Sequence, residues 1–334
     1  MEKDTDNTKS GSRLKKILFI ILRIVISLGL FAVLIVLNIK NLTSIPVIFK
    51  SINIGFAIAG IFFYLLGIAL EAPRWHTLLS ANKINISVLY LLNSTLIGFF
   101  FSTLLPTSVG GDAYRAFDLR KTFKVPHHKN VIAIYLGRFF GMLTGGYWII
   151  FSFLIGMYSH LNKGLLIGMI IMFPLVILLI FITFFPKKFK IDVFCSKVRF
   201  LKKSACKVTE FIEILHDFKS KKKEILLSIF FSLVANFSTF ISFFFIGLSL
   251  KINLSFLAYI FIVPIMWSAS NLPITLGGFG VRENTLVLLL KSFNVDAANA
   301  LTFSLIVMLI NILIAILGGA IYILRNISIR KAKK

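Results

Sequence analysis

Long uncharged runs alternate with short basic clusters along the whole chain. The runs cover 51–70, 84–111, 139–162, 164–186, 225–250, 252–281 and 297–324. Each is near or beyond the ~20 residues a helix needs to cross a bilayer. Phe, Leu and Ile recur in them without strict alternation, which argues for helices over the strands of an outer-membrane barrel. Lipid offers no other partner to unpaired backbone groups. Ile17 to Leu37 adds a first span, read as retained because no small-residue cleavage site follows it. Eight hydrophobic segments are therefore predicted, at about 17–37, 52–79, 88–104, 131–157, 164–185, 225–249, 254–275 and 299–323. The expected fold class is an all-α polytopic membrane protein.

Composition agrees: 57% of the 334 residues are hydrophobic and 15% charged, where a soluble chain carries roughly 25% charged residues. The net charge of +24 is explained by topology rather than by nucleic acid, since cytoplasmic loops accumulate Lys and Arg and attract anionic lipid. That rule also counts crossings. If 88–104 and 254–275 enter the membrane and return to the side they left, 28 basic loop residues fall inside and 6 outside. Eight full spans separate the charges less well. The expectation is six spans and two re-entrant hairpins in a cell (cytoplasmic) membrane, with both termini cytoplasmic. Residues 1–16 and 326–334 would be polar and basic tails around a membrane domain at 17–325.

Two stretches break the apolar pattern in the same way. "LPTSVGGDAYR" (105–115) and "LPITLGGFGVR" (272–282) align without a gap at Leu105/Leu272, Pro106/Pro273, Gly110/Gly277, Gly111/Gly278 and Arg115/Arg282. Three full spans separate the copies, so the second is inverted, with repeats at about 52–157 and 225–323. Inverted repeats with broken helices are a recurring transporter architecture. Proline ends a helix by removing a donor, and paired glycines admit positive φ and close backbone approach. The helix that restarts after each break offers free amides and a dipole to an anion. Arg115 and Arg282 add donors suited to a phosphate fork. The candidate head-group residues are Arg115, Arg282, Asp112, Glu283 and Arg138, with Pro106, Gly110, Gly111, Pro273, Gly277 and Gly278 forming the breaks. A purely structural account stands beside this one. Asp112 is a good helix N-cap, Arg115 and Arg282 could simply pair with Asp112, Asp118 or Glu283 and serve topology, and for Arg138 a structural ion pair stands beside ligand contact.

Elsewhere, Val198, Leu201, Ala205, Val208, Phe211, Ile212, Leu215 and Phe218 share one helical face in the basic loop 186–223, which reads as an amphipathic helix on the cytoplasmic membrane surface. Glu71 and Arg74 are spaced as an i,i+3 ion pair at the end of the second segment, and Trp75 fits an interfacial anchor. Cys195 and Cys206 suit neither a disulfide framework nor a zinc site. The sequence holds no Walker loop, nucleophile elbow or dinucleotide fingerprint, so no cofactor and no metal are expected.

The motifs "FFFSTLLPTSVGGDAYRAFDLRK", "GRFFG" and "LPITLGGFGVRENTLVLLL" resemble those of the lysylphosphatidylglycerol synthase transmembrane region, a flippase-like family, over about residues 15 to 325. The resemblance implies a role in moving lipid between leaflets. It further implies a stand-alone member, because the full-length synthases carry an additional soluble domain that uses aminoacyl-tRNA. Family members often have Glu before the Arg of "ERxxG"; Gly137 stands there in this chain, which weakens a charge-pair role for Arg138.

The expected function is binding and translocation of an anionic phospholipid or polyprenyl-phosphate-linked lipid, without catalysis. The partners are that lipid, the bilayer and a separate lipid-synthesising enzyme. The rivals are lipid-linked group transfer with Asp112 or Glu283 as base, and a non-transporting partner that positions a separate synthase through the basic 186–223 helix.

Overall fold

The computed structural model describes residues 21–104, 110–156, 220–271, 275 and 277–331. The tail 1–16, the segment 164–185, the amphipathic face of 186–223, Pro106 and Pro273 lie outside these described residues. Everything described with regular structure is helical. Helix α1 (Ile21–Leu37) is followed by a 3-10 turn (Ile39–Ser44), α2 (Ile45–Lys50), α3 (Ile54–Ala69), α4 (Glu71–Ser80), α5 (Val88–Leu104) and α6 (Gly110–Phe123). Then come α7 (His127–Leu154), α8 (Lys222–Ser249), α9 (Phe256–Ser270), α10 (Val281–Ser292) and α11 (Ala297–Lys331).

Three stretches among the described residues are long and apolar enough to cross a membrane: Ile54–Ser80, Lys222–Ser249 and Ala297–Ile327. A fourth follows if α1 and the next helical stretch, bent by 82°, form one span. Helices α5 and α9 are apolar but have only 17 and 15 residues. At about 1.5 Å per residue they reach ~25 and ~22 Å, short of a hydrocarbon core of ~30 Å.

The helices gather into two compact units. One comprises residues 53–96 and 112–265; the other comprises 1–52, 97–111 and 266–334. In the first of these, the surface pattern is that of a protein solvated by lipid. Helix α8 exposes Leu226, Phe230, Val234 and Phe237 while burying Ser228, Ser232, Asn236, Ser238, Thr239 and Ser242. Two of its serines serve as interhelical donors. Ser242 Oγ donates to the Gly60 carbonyl at 2.7 Å and Ser238 Oγ to the Phe63 carbonyl at 2.8 Å. The helices come this close because α3 offers glycines. A Cβ on Gly60 would sit 2.8 Å from Ile246 Cγ1, and one on Gly67 would sit 2.8 Å from Thr239 Oγ1. Small residues and polar contacts are the usual means of joining helices where lipid supplies no hydrophobic drive. On its other face α3 shows Ile54, Ile58 and Phe62.

Helices α3 and α4 are divided at Leu70. Pro73, the third residue of α4, has no amide to give the Ala69 carbonyl, so the hydrogen-bond ladder breaks there. Beyond the break, α4 packs with parts of α5, α6 and α7 in a core that includes Ala72, Leu78, Leu79, Leu91, Leu119, Ile132, Leu136 and Phe140. Trp75 belongs to that core, 2% exposed, which corrects its reading as an interfacial anchor.

In the other unit, α10 is reached through Gly277, Gly278 and Gly280, with φ of 54°, 80° and 83°. These values lie in the left-handed region that favours glycine. A Cβ on Gly280 would also stand 2.8 Å from Leu30 Cβ, so the turn needs glycine to pass α1. Asn284 Nδ2 donates to the Leu30 carbonyl at 2.9 Å, and Lys291 Nζ to Asn38 Oδ1 at 3.0 Å. Both bonds tie α10 to the α1 region.

Candidate functional site

The first break differs locally from the second. Gly111 is the second residue of α6, and its φ is not positive. Its role is close approach: a Cβ there would meet the Gly98 carbonyl oxygen and Ser102 Oγ of α5. The Gly111 amide donates to Ser102 Oγ at 3.1 Å. In the second break the Gly280 amide donates to Glu283 Oε2 at 2.7 Å. Each restarted helix thus already uses an amide at its N-terminus. The expectation of free N-terminal amides is corrected to that extent, and side chains become the main candidates for holding an anion.

The unit containing α3, α4 and α6–α8 assembles five charges around α4. Asp112, which lies in the first turn of α6, bonds through Oδ2 to Arg138 Nε of α7. Its Oδ1 lies 3.7 Å from Arg115 NH1, and Glu71 Oε2 lies 3.6 Å from the same nitrogen. Arg74 NH2 stands 3.9 Å from Glu71 Oε2, and Arg74 NH1 donates to Ser232 Oγ at 3.3 Å. The pairing of Asp112 with Arg138 runs against the expectation that Gly137 weakens a charge-pair role for Arg138. Gly137 and Gly141, one turn apart on α7, instead make room for Arg74. A Cβ on Gly141 would lie 3.2 Å from Arg74 NH1, and one on Gly137 would lie 3.6 Å from Arg74 Nε.

Arg115 is the least satisfied member. Its side chain is 10% exposed, and its buried Nε has no hydrogen-bond partner among the described residues. Its carboxylate contacts of 3.6 and 3.7 Å are ion pairs too long to be hydrogen bonds. Arg115 Cζ rests 4.3 Å from the centre of the Trp75 ring, a cation–π contact. Asn130, fully buried, fixes that arrangement. Its Oδ1 accepts from Trp75 Nε1 at 3.3 Å, while its Nδ2 donates to the Arg115 and Ala116 carbonyls at 3.3 and 3.4 Å. Asp118, expected as an alternative partner for Arg115, accepts from the Tyr90 hydroxyl at 3.2 Å.

Among the described residues, three arginines and two carboxylates leave the cluster with one positive charge. An arginine within a membrane costs at least ~2.5 kcal/mol. A surplus cation with an unused donor is therefore chemically suited to an anion bearing oxygens, and the planar guanidinium fits phosphate.

In the other unit Arg282 is well matched. Its Nε and NH2 donate to Glu283 Oε1 at 2.9 and 2.6 Å, and Cζ lies 5.4 Å from the Phe279 ring centre. Glu283 is 1% exposed. The i,i+3 spacing in "EAPRW" was visible in sequence, but nothing local to it revealed that Glu71 and Arg74 join Asp112, Arg115 and Arg138. Among the described residues no group of three or more His, Cys, Asp and Glu side chains is placed to hold a metal ion.

Apolar exposed faces and polar contacts between helices define a helical membrane protein. A family profile supplies the rest of the assignment, matching residues 20–319. The chain belongs to the lysylphosphatidylglycerol synthase transmembrane region family. It is similar to a UPF0104 membrane protein of Pyrococcus horikoshii, with 24% identity over 294 residues covering 82% of this chain and 88% of the relative. No solved structure matches it.

Proposed function

We propose that this protein binds the phosphate of an anionic phospholipid or polyprenyl-phosphate-linked lipid among Arg74, Arg115 and Arg138 and carries the lipid between leaflets. The observation that supports this reading is the buried Arg115, whose Nε has no hydrogen-bond partner among the described residues while its carboxylate neighbours stand 3.6 and 3.7 Å away. The proposal takes the short helices α5 and α9 as arms of re-entrant hairpins, six other segments as spans, and both termini as cytoplasmic. Arg282 is assigned a lesser part, since Glu283 already occupies two of its nitrogens.

The test is movement of a head-group-labelled lipid in proteoliposomes. Arg115→Ala removes donors to a charged group, each worth about 1.5–3 kcal/mol, so transport should fall at least tenfold. Arg282→Ala should reduce it less. Equal rates for wild type and Arg115→Ala would refute the assignment. Cysteine labelling that put 84–87 and 120–124 on opposite membrane faces would refute the first hairpin.

A further inference from the structure

The charge balance around Arg115 carries an inference about selectivity, which rests on the reading of this cluster as a phosphate site. We infer that Asp112 is a specificity-determining residue that limits the site to a single negative charge, and so selects a phosphodiester over a phosphomonoester.

Among the described residues, Arg74, Arg115, Arg138, Glu71 and Asp112 together carry one net positive charge. Glu71 and Arg138 are the more open members, with side chains 27% and 42% exposed; Arg74, Arg115 and Asp112 are 11%, 10% and 13% exposed. The three inner groups alone also sum to +1. Whether solvent screens the outer pair or not, the surplus is one charge.

A phosphodiester, with one charge, balances that surplus. A phosphomonoester in its dianionic form leaves one negative charge uncompensated among desolvated groups, and unpaired buried charge is strongly unfavourable. Asp112 sets this limit. It lies between two arginines, bonded to Arg138 and 3.7 Å from Arg115. With a neutral residue in its place the cluster would carry two positive charges and match the dianion. Glu71 makes the same contribution from the rim, weakened by solvent.

The experiment uses the full chain in phosphatidylcholine nanodiscs containing either phosphatidylglycerol or phosphatidic acid with identical acyl chains. Binding is measured at about pH 8.5, where a phosphomonoester, whose second pKa is ≈ 6, carries close to two charges. Soluble glycerophosphoglycerol and glycerol 3-phosphate serve as competing arms that separate a lipid from a free head group.

Wild type should favour phosphatidylglycerol at least about tenfold, a modest demand for charges separated by ~4 Å. Asp112→Asn should shift the ratio toward phosphatidic acid by a similar factor. Asp112→Glu should retain the wild-type ratio, and Glu71→Gln should shift it in the Asn direction by less. Should Asp112→Asn not fold, the Glu71→Gln shift decides the matter. Preference of the wild type for phosphatidic acid, or a ratio unchanged by neutralising either acid, overturns the inference. Failure to bind either lipid overturns the phosphate reading itself. Equal competition by the soluble head groups would keep the charge rule and remove the lipid as its source.

Discussion

Removing the Asn130 side chain tests how the cluster is held. Asn130→Ala deletes three hydrogen bonds, one accepted from Trp75 Nε1 and two donated to α6 carbonyls. The carbonyl bonds are long, and such groups retain their helical partners, so their loss is worth roughly 0.5–1 kcal/mol each. The Trp75 N–H is left buried without an acceptor, which costs about 1–3 kcal/mol. The expected destabilisation is ~2–5 kcal/mol, or about 3–7 °C in apparent melting temperature for a chain of this size. Intrinsic fluorescence of the protein in detergent measures it. Trp75→Phe isolates the cause, because it removes the orphaned donor together with its partner. The double variant should therefore be less destabilised than the two single losses summed, by about 1 kcal/mol or more. Strict additivity would show that the Trp75–Asn130 bond does not hold this part of the core. Head-group binding should weaken alongside stability, since Trp75 is the platform beneath the Arg115 guanidinium.

Gly111→Ala should lower stability by about 1–3 kcal/mol by overpacking α5 against α6, seen as a lower melting temperature and reduced lipid binding. Gly280→Ala meets both a φ of 83° and Leu30, so it should destabilise by at least ~1 kcal/mol while leaving the phosphatidylglycerol to phosphatidic acid ratio unchanged. Arg115→Lys keeps the charge but not the fork; its head-group affinity should lie between those of wild type and Arg115→Ala in the nanodisc assay.

The sequence made the class of fold legible because a charged residue within lipid is costly enough to make apolar runs stand out. It also made the break before α10 legible, since the turn there uses glycine at positive φ. Gly111 was harder: the same dipeptide serves close packing when a neighbouring helix, unseen in local sequence, passes beside it. Trp75 was misjudged because a tryptophan near the end of an apolar run looks the same whether it meets head groups or an asparagine 55 residues away. The pairing of Arg138 with Asp112 was illegible for the same reason. Local spacing found Glu71 with Arg74; only the fold could place them beside α6 and α7.

The missing amide at Pro73 has a mechanical consequence. It creates a soft joint between α3, whose outer face meets acyl chains, and α4, which bears Glu71, Arg74 and Trp75. A few degrees of bending there would swing one carboxylate and one guanidinium relative to Arg115 while the gripping contacts of Gly60 and Gly67 on α8 stayed fixed. The spacing of the charges around Arg115 can thus be changed by a short lever, without sliding any helix through the bilayer.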